Sequence, residues 1–235
     1  MKTITIIGAG MMGSALAFPA RENGNEVRLV GTHLDREIID ACRKTGRHPK
    51  FVKNFPSGIT YYQIEELTEA IRGADFIICG VSSFGVEWYR DEVLPKLEEN
   101  VPMISVTKGL MNTKNGDLLT YLDIWQEKLD ALGKKIPLNA IGGPCTSYEL
   151  VAHDQTEVTF CGKDMDVLRM IKSAMATNYY HICLASSRLQ PAAQIICPAI
   201  LDTARVQCNF NHLPRLLCWQ HDKSCVHRRS RDNRQ

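Results

Sequence analysis

Short apolar runs recur along residues 1 to about 185, and stretches with a helical spacing of apolar positions separate them. Apolar runs of this length, bounded by polar or glycine-containing turns, are typical of strands that are buried on both faces. The predicted strands cover residues 4–7, 27–31, 76–81, 103–106, 138–141, 157–161 and 179–183.

The stretches between these strands predict amphipathic helices. Residues 64–71, 117–132 and 164–175 place apolar side chains three or four positions apart, and therefore on one helical face. These side chains are Ile64, Leu67, Ile71, Leu118, Leu122, Trp125, Leu129, Val167, Ile171 and Ala174. Because strands alternate with helices, we predict an α/β fold with a doubly wound, mainly parallel, Rossmann-like sheet.

The pattern ends near residue 186. All 16 glycines and every glutamate precede that point, and the remaining residues show no sustained strand or helix period. We therefore predict a folded domain over residues 1–185 and an irregular, disordered tail over residues 186–235.

Composition excludes several classes of protein. A hydrophobic fraction of 44% allows an ordinary core, and a net charge of +2 does not favour a nucleic-acid binder. The sequence contains no apolar run of about 20 residues, the length needed to span a bilayer, and its first residues do not resemble a cleaved signal peptide. The nine cysteines show no paired framework, so we expect reduced thiols and a cytoplasmic protein.

A glycine-rich turn follows the first predicted strand. Gly8, Gly10 and Gly13 have the spacing of a dinucleotide-binding turn, and an Ala- and Leu-containing helix follows them. In such a turn the first glycine allows a tight bend, and the second allows the backbone to approach a pyrophosphate. The third lets the helix pack closely on the strand. The sequence thus predicts a dinucleotide site at the N-terminus of that helix.

The end of the second strand bears on the choice of cofactor. An NAD-selective site usually has an acidic residue here, whereas this chain has Gly31, Thr32 and His33, with no acid before Asp35. His33 and Arg36 are candidates to accept a 2′-phosphate, and the alternative is that both are solvated loop residues. We therefore expect NAD or NADP to bind, with little preference.

Two further strand ends carry candidate chemistry. Lys108 follows the strand at 103–106, and its ammonium is suited to a phosphate or a carbonyl oxygen. A glycine-rich turn, Gly142-Gly-Pro-Cys-Thr-Ser-Tyr-Glu149, follows the strand at 138–141. Cys145 in this turn has no histidine nearby in the sequence, so we interpret it as a loop-lining thiol and not as a nucleophile.

Three motifs, taken in order, resemble those of NAD(P)-dependent glycerol-3-phosphate dehydrogenases. They are Gly8-Ala-Gly-Met-Met-Gly13, Ser105-Val-Thr-Lys-Gly-Leu110 and Gly142-Gly-Pro-Cys-Thr-Ser-Tyr-Glu149. The segments at 74–83 and 179–182 also resemble strands of that family's nucleotide-binding domain. The resemblance covers residues 1 to about 185. It implies hydride transfer between a nicotinamide and C2 of dihydroxyacetone phosphate or glycerol 3-phosphate.

The resemblance also implies roles for particular residues. Met11 and Met12 would line the pyrophosphate turn, and Gly143, Cys145 and Ser147 would border the substrate and the nicotinamide. Together with the reasoning from the residues above, the predicted cofactor contacts are Gly8, Gly10, Met11, Met12, Gly13, Thr32, His33, Val81, Lys108 and Ser147, and the predicted substrate contacts are Lys108, Gly143 and Cys145. Lys108 would touch both cofactor and substrate. The family's acid/base lysine belongs to an Ala-Leu-Lys-Asn segment at the start of a helical domain, and the sequence after Ser187 contains no such segment. We therefore predict weak or absent activity for this chain.

Several interpretations of the C-terminal tail remain open. The leading one is out-of-frame translation that replaces the helical substrate domain, and it predicts that another reading frame encodes a Lys-Asn motif. The second is that the chain is a natural, non-catalytic dinucleotide-binding protein whose tail has evolved a different role. The third is a Cys/His metal site on the tail, against which the irregular spacing argues. Its candidate ligands are Cys208, His212, Cys218, His221, Cys225 and His227.

The expected partner is a small-molecule substrate. We predict no metal in the dinucleotide domain, no nucleic acid despite the arginines at 228–231, and no membrane span. The family resemblance implies a homodimer for an intact member, which we do not expect for this chain.

Overall fold

The structure is a computed structural model that describes residues 1–112, 116 and 118–186. The predicted disordered tail and the candidate Cys/His metal site lie outside the described residues, apart from Ser186. Five cysteines lie among the described residues, namely Cys42, Cys79, Cys145, Cys161 and Cys183, and the first two are buried.

An eight-stranded sheet forms the centre of the described chain. The described residues contain ten strands in all, namely β1 (Thr3–Ile7), β2 (Glu26–Val30), β3 (Ile59–Tyr62), β4 (Phe76–Cys79), β5 (Met103–Ser105), β6 (Leu110–Asn112), β7 (Leu118–Thr120), β8 (Leu138–Gly142), β9 (Thr156–Gly162) and β10 (Tyr180–Ser186). The order in the sheet is β10-β9-β8-β5-β4-β1-β2-β3, while β6 and β7 form a separate antiparallel hairpin. All pairs in the large sheet are parallel except β8 with β9, so the predicted mainly parallel fold is confirmed.

Helices cover both faces of the sheet. They are α1 (Met11–Glu22), α2 (Arg36–Thr45), α3 (Leu67–Ile71), α4 (Val86–Trp88), α5 (Tyr121–Ala131), α6 (Ser147–Ala152) and α7 (Met165–Met175). A π-helical turn, Tyr89–Val93, continues α4. Among the described residues, no helix has the length and apolar character required to cross a membrane.

Two apolar clusters pack on opposite faces of the sheet. Ile4 and Ile6 of β1 belong to the cluster that contains α1, whereas Ile7 belongs to the cluster that contains Trp125 of α5. All four of these side chains are fully buried. A parallel strand that is covered on both faces must be apolar on both faces, which is why these strands appear in the sequence as continuous apolar runs.

The structure contains elements that the sequence analysis does not predict. They are α2, the edge strand β3, α4 with the π-helical turn that follows it, and the β6–β7 hairpin. The helix predicted over residues 117–132 begins only at Tyr121, because Leu118 belongs to β7 and Thr120 caps the helix. The Thr120 hydroxyl accepts the Asp123 N–H at 3.2 Å, and the Asp123 carboxylate accepts the Thr120 N–H at 2.9 Å. Such a reciprocal pair is a strong helix-start signal.

Candidate functional site

The predicted site residues follow strands that are neighbours in the sheet. The order β8-β5-β4-β1-β2 brings the segments after these five strands to one edge, since all five run parallel. Along this edge the chain leaves β1 toward β2 on one side and later returns to β4 on the other. A doubly wound sheet binds ligands at such a switch point, at the carboxyl ends of its strands.

The glycine-rich turn packs tightly against the segment after β4. Gly8 has φ of +111°, and a Cβ on it would lie 2.8 Å from the carbonyl carbon of Gly80. A Cβ on Gly13 would overlap the carbonyl oxygen of Gly8. Glycine is therefore required at both positions, by backbone conformation at Gly8 and by close approach at Gly13.

Gly10 is in a different situation from the other two glycines of the turn. Its backbone is extended (φ −64°, ψ 176°), and no described atom lies within 4 Å of a Cβ built on it. It precedes α1, whose N-terminus has no side-chain cap among the described residues and no acidic residue in its first turn. Met11 and Met12 begin the helix and pack partly on the core. Open space in front of free helical N–H groups fits a diphosphate.

Asp35 holds the loop after β2 against the glycine-rich turn. Its Oδ2 accepts the Thr32 N–H at 2.9 Å, the Thr32 hydroxyl at 2.8 Å and the Ala9 N–H at 3.2 Å. Thr32 is thus a buried residue of the candidate site. Asp35 contacts the glycine-rich turn although it lies several residues after the end of β2 in the sequence. Asp35 is the first acid after β2 in the sequence, but its position in the sequence does not indicate this role.

The two predicted 2′-phosphate contacts have different environments. His33 is exposed, and its ring lies 5.6 Å, centroid to centroid, from that of Trp88 in α4. Arg36 is also exposed, and its guanidinium forms an ion pair with the Glu65 carboxylate. A phosphate would therefore compete with Glu65 for Arg36, whereas His33 has no such carboxylate partner among the described residues.

Hydrogen bonds link the ends of β1, β4 and β5. The Gly80 N–H donates to the carbonyl of Ile7 at 2.8 Å, and the Thr107 hydroxyl donates to the carbonyl of Val81 at 2.6 Å. Val81 is buried, with 6% of its surface exposed. The predicted contact Val81 thus lies in a rigid segment directly behind the glycine-rich turn.

Lys108 reaches across to the turn after β8. Its Nζ donates to the carbonyl of Gly143 at 2.5 Å, so two of the three predicted substrate contacts lie side by side. Gly143 has φ of +128°, a conformation that favours glycine. The third contact, Cys145, is half-buried with its thiol 3.7 Å from the Thr146 carbonyl, and Ser147 begins α6.

Buried titratable groups lie behind this edge. Burial raises the pKa of the Cys79 thiol to about 12, and burial also raises the pKa of Tyr89. Cys79 therefore stays a protonated thiol and is not a nucleophile. His48 lies near Ala9, and burial lowers its pKa below the usual value. No sequence signal marks His48, because its position depends on how the loop between α2 and β3 folds back.

Metal ligands do not converge in the described part of the chain. Within residues 1–112, 116 and 118–186, no three His, Cys, Asp or Glu side chains lie close enough to hold a metal ion.

Residues 3–168 match the family described as NAD-dependent glycerol-3-phosphate dehydrogenase N-terminus. The chain is 30% identical over 179 residues to the NADP(+)-dependent glycerol-3-phosphate dehydrogenase of Archaeoglobus fulgidus. This match covers 76% of this chain and 52% of that protein. The chain is 26% identical over 185 residues to a glycerol-3-phosphate dehydrogenase [NAD(P)+] of Koribacter versatilis, which covers 77% and 52% respectively. The chain thus spans about half the length of these curated relatives.

Solved structures show the same fold. The glycerol-3-phosphate dehydrogenase of Coxiella burnetii superposes with a TM-score of 0.68 at 22% identity, over 78% of this chain and 54% of that one. The glycerol-3-phosphate dehydrogenase of Plasmodium falciparum superposes with a TM-score of 0.68 at 23% identity, over 78% of this chain and 52% of that one.

Proposed function

Because the chain belongs to the family of NAD-dependent glycerol-3-phosphate dehydrogenase N-terminal domains, we propose that residues 1–185 form a dinucleotide-binding domain for NAD or NADP. The observation that carries this proposal is the open N-terminus of α1 at Gly10, placed at the switch point between β1 and β4. The tight packing of Gly8 against Gly80 gives that turn a defined shape.

The remaining edge residues have roles that follow from their positions. The N–H groups at the start of α1 would hold the diphosphate, with Met11 and Met12 beside it. Thr32 and His33 lie toward the adenosine end, since β2 neighbours β1. Val81 and Ser147 lie toward the opposite end, where a nicotinamide would extend.

The reaction we propose for this site is the one in the names of its relatives. A bound dinucleotide supplies the hydride acceptor or donor for oxidation of glycerol 3-phosphate or reduction of dihydroxyacetone phosphate. Lys108 places a positive charge near the substrate oxygens, and the turn with Gly143 and Cys145 borders the same space. The chain after residue 185 has no match to the family's acid/base lysine, so we propose that binding exceeds turnover.

Calorimetric titration with NADH and NADPH tests the dinucleotide site. The wild-type chain should bind both, and Gly10→Val should abolish binding because its side chain fills the space in front of the helix. The fold should be unaffected, since that space holds no described atom. Ala131→Val, a similar enlargement at an exposed position of α5, is the control and should bind normally. Full binding by Gly10→Val would refute the site.

A further inference from the structure

His48 is a buried imidazole that the proposed binding site does not yet use. Only 1% of its surface is exposed, and its ring lies 4.5 Å, centroid to centroid, from that of Phe51. A polar group at such a position is costly unless both of its nitrogens find hydrogen-bond partners. The role of His48 therefore depends on which of its two ring nitrogens has a hydrogen-bond partner.

One nitrogen is engaged, and it defines the tautomer. Nδ1 accepts the backbone N–H of Lys50 at 3.1 Å, so the neutral ring carries its proton on Nε2. Nε2 has no hydrogen-bond partner among the described residues. Burial and the nearby Lys50 charge favour the neutral ring, while the Ala9 carbonyl and the Asp35 carboxylate act in the opposite direction.

The Ala9 backbone, in the middle of the glycine-rich turn, acts on the His48 imidazole, and its carbonyl is therefore the candidate acceptor for Nε2–H. This carbonyl accepts the Ser14 hydroxyl at 3.0 Å, and a carbonyl oxygen has a second lone pair. The Ala9 carbonyl lies near enough to act on the imidazole, although no hydrogen bond of normal geometry joins them here. The Ala9 N–H is held separately by Asp35.

The Ala9 carbonyl and the Gly10 N–H belong to one peptide group. In a trans peptide they point in opposite directions, so a donor to the Ala9 carbonyl lies on the opposite side of the peptide from a ligand that binds the Gly10 N–H. A donor to the carbonyl fixes the orientation of this peptide and polarises its N–H, which strengthens a hydrogen bond on the other side.

We propose that His48 is a positioning residue for dinucleotide binding, whose Nε2–H donates to the Ala9 carbonyl when a diphosphate occupies the N-terminus of α1. This inference rests on the proposed function, because it assumes that the turn holds a diphosphate. The bond then joins the buried loop after α2 to the peptide that meets the ligand.

ADP-ribose is the suitable probe, since it carries the diphosphate without a 2′-phosphate or a nicotinamide. Calorimetry at pH 7.5 should show about 3- to 10-fold weaker binding for His48→Leu, the range that one lost hydrogen bond implies. His48→Gln keeps an amide donor and should bind within about twofold of the wild type. His181→Leu, at an exposed histidine of β10 at the far edge of the sheet, is the matched control and should bind ADP-ribose as tightly as the wild type.

A spectroscopic measurement on the wild-type chain makes the test independent of any folding defect in the variants. In ¹⁵N-histidine-labelled protein, the His48 Nε2–H proton should shift downfield on addition of ADP-ribose, because a hydrogen bond forms. An unshifted resonance, or His48→Leu binding as tightly as the wild type, overturns the role of His48 and leaves the proposed function standing. Absence of ADP-ribose binding by the wild type refutes the proposed function itself, and the inference with it.

Discussion

Individual glycines shape the candidate site, and each does so for a different physical reason. Gly8 needs its positive φ and its close contact with Gly80, whereas Gly13 needs only the close contact with Gly8. Gly10 needs neither of these for folding, because its Cβ would meet open space. The three motif glycines are therefore distinguishable by experiment: two are required by the fold, and the third, Gly10, is required only by the proposed diphosphate site.

Gly13→Ala should destabilise the fold, whereas Gly10→Ala should not. The added methyl at Gly13 would overlap the Gly8 carbonyl and push α1 away from β1, and overpacking of this kind costs about 1–3 kcal/mol. At Gly10 the backbone is already suited to alanine, so the free energy of unfolding should be unchanged or slightly higher. Urea denaturation measures both, and equal stabilities of the two variants would contradict this account.

His48 should make stability depend on pH. Burial lowers its pKa in the folded state, so the unfolded chain binds the proton more tightly. The free energy of unfolding should therefore fall as pH drops below about 6.5, the ordinary value for histidine. Between pH 7.5 and pH 5.5, the free energy of unfolding from urea titrations should fall less for His48→Gln than for the wild type. Equal decreases would show that His48 is not the group responsible. Asp91, whose pKa is lowered to about 2 by the hydrogen bond from Arg90, stabilises the fold at both of these pH values and loses that contribution only at a lower pH.

At the scale of elements, strand ends and helix starts follow local signals, but edges and hairpins do not. The strands predicted at 4–7, 103–106 and 138–141 match β1, β5 and β8 to within a residue. The edge strand β3 is not predicted because its run is only four residues long and only the first of them, Ile59, is buried. The start of α5 was predicted too early because apolar spacing continues through Leu118, which instead pairs in the hairpin.

Removing the cap of α5 tests the revised helix start. Thr120→Ala deletes the hydroxyl that accepts the Asp123 N–H, and loss of such a cap costs about 1 kcal/mol. Thr120→Ser retains the acceptor and should keep most of the stability. The urea midpoints of the two variants should therefore differ, and coincident midpoints would argue for a helix that begins before Tyr121.

At the scale of the whole molecule, the chain corresponds to about half of its curated relatives. The described residues contain the complete sheet edge proposed for the dinucleotide, together with one lysine that faces the proposed substrate position. General acid–base catalysis by a placed side chain is worth about 10²–10⁴ in rate. A chain that lacks the matched lysine should therefore bind the cofactor and turn over slowly.

The activity prediction can be measured directly. Oxidation of NADH or NADPH with saturating dihydroxyacetone phosphate should proceed well below about one turnover per second, the lower end of ordinary enzyme rates. NADH binding by the same preparation confirms that the protein is folded. A rate at or above that value would mean that the residues after 185 supply the missing acid/base group.

The sequence by itself determined the features that depend on local spacing. Apolar runs and helical periods indicated a sheet and the order of most strands and helices along the chain. Gly8, Gly10 and Gly13 marked the glycine-rich turn. Tertiary structure alone decided which residues come together: Gly80 against the turn, Asp35 on Ala9, Lys108 on Gly143 and His48 near Ala9. Periodicity shows which side chains share a face of one element. It cannot show these contacts, because each joins segments that only the folding of the sheet brings together.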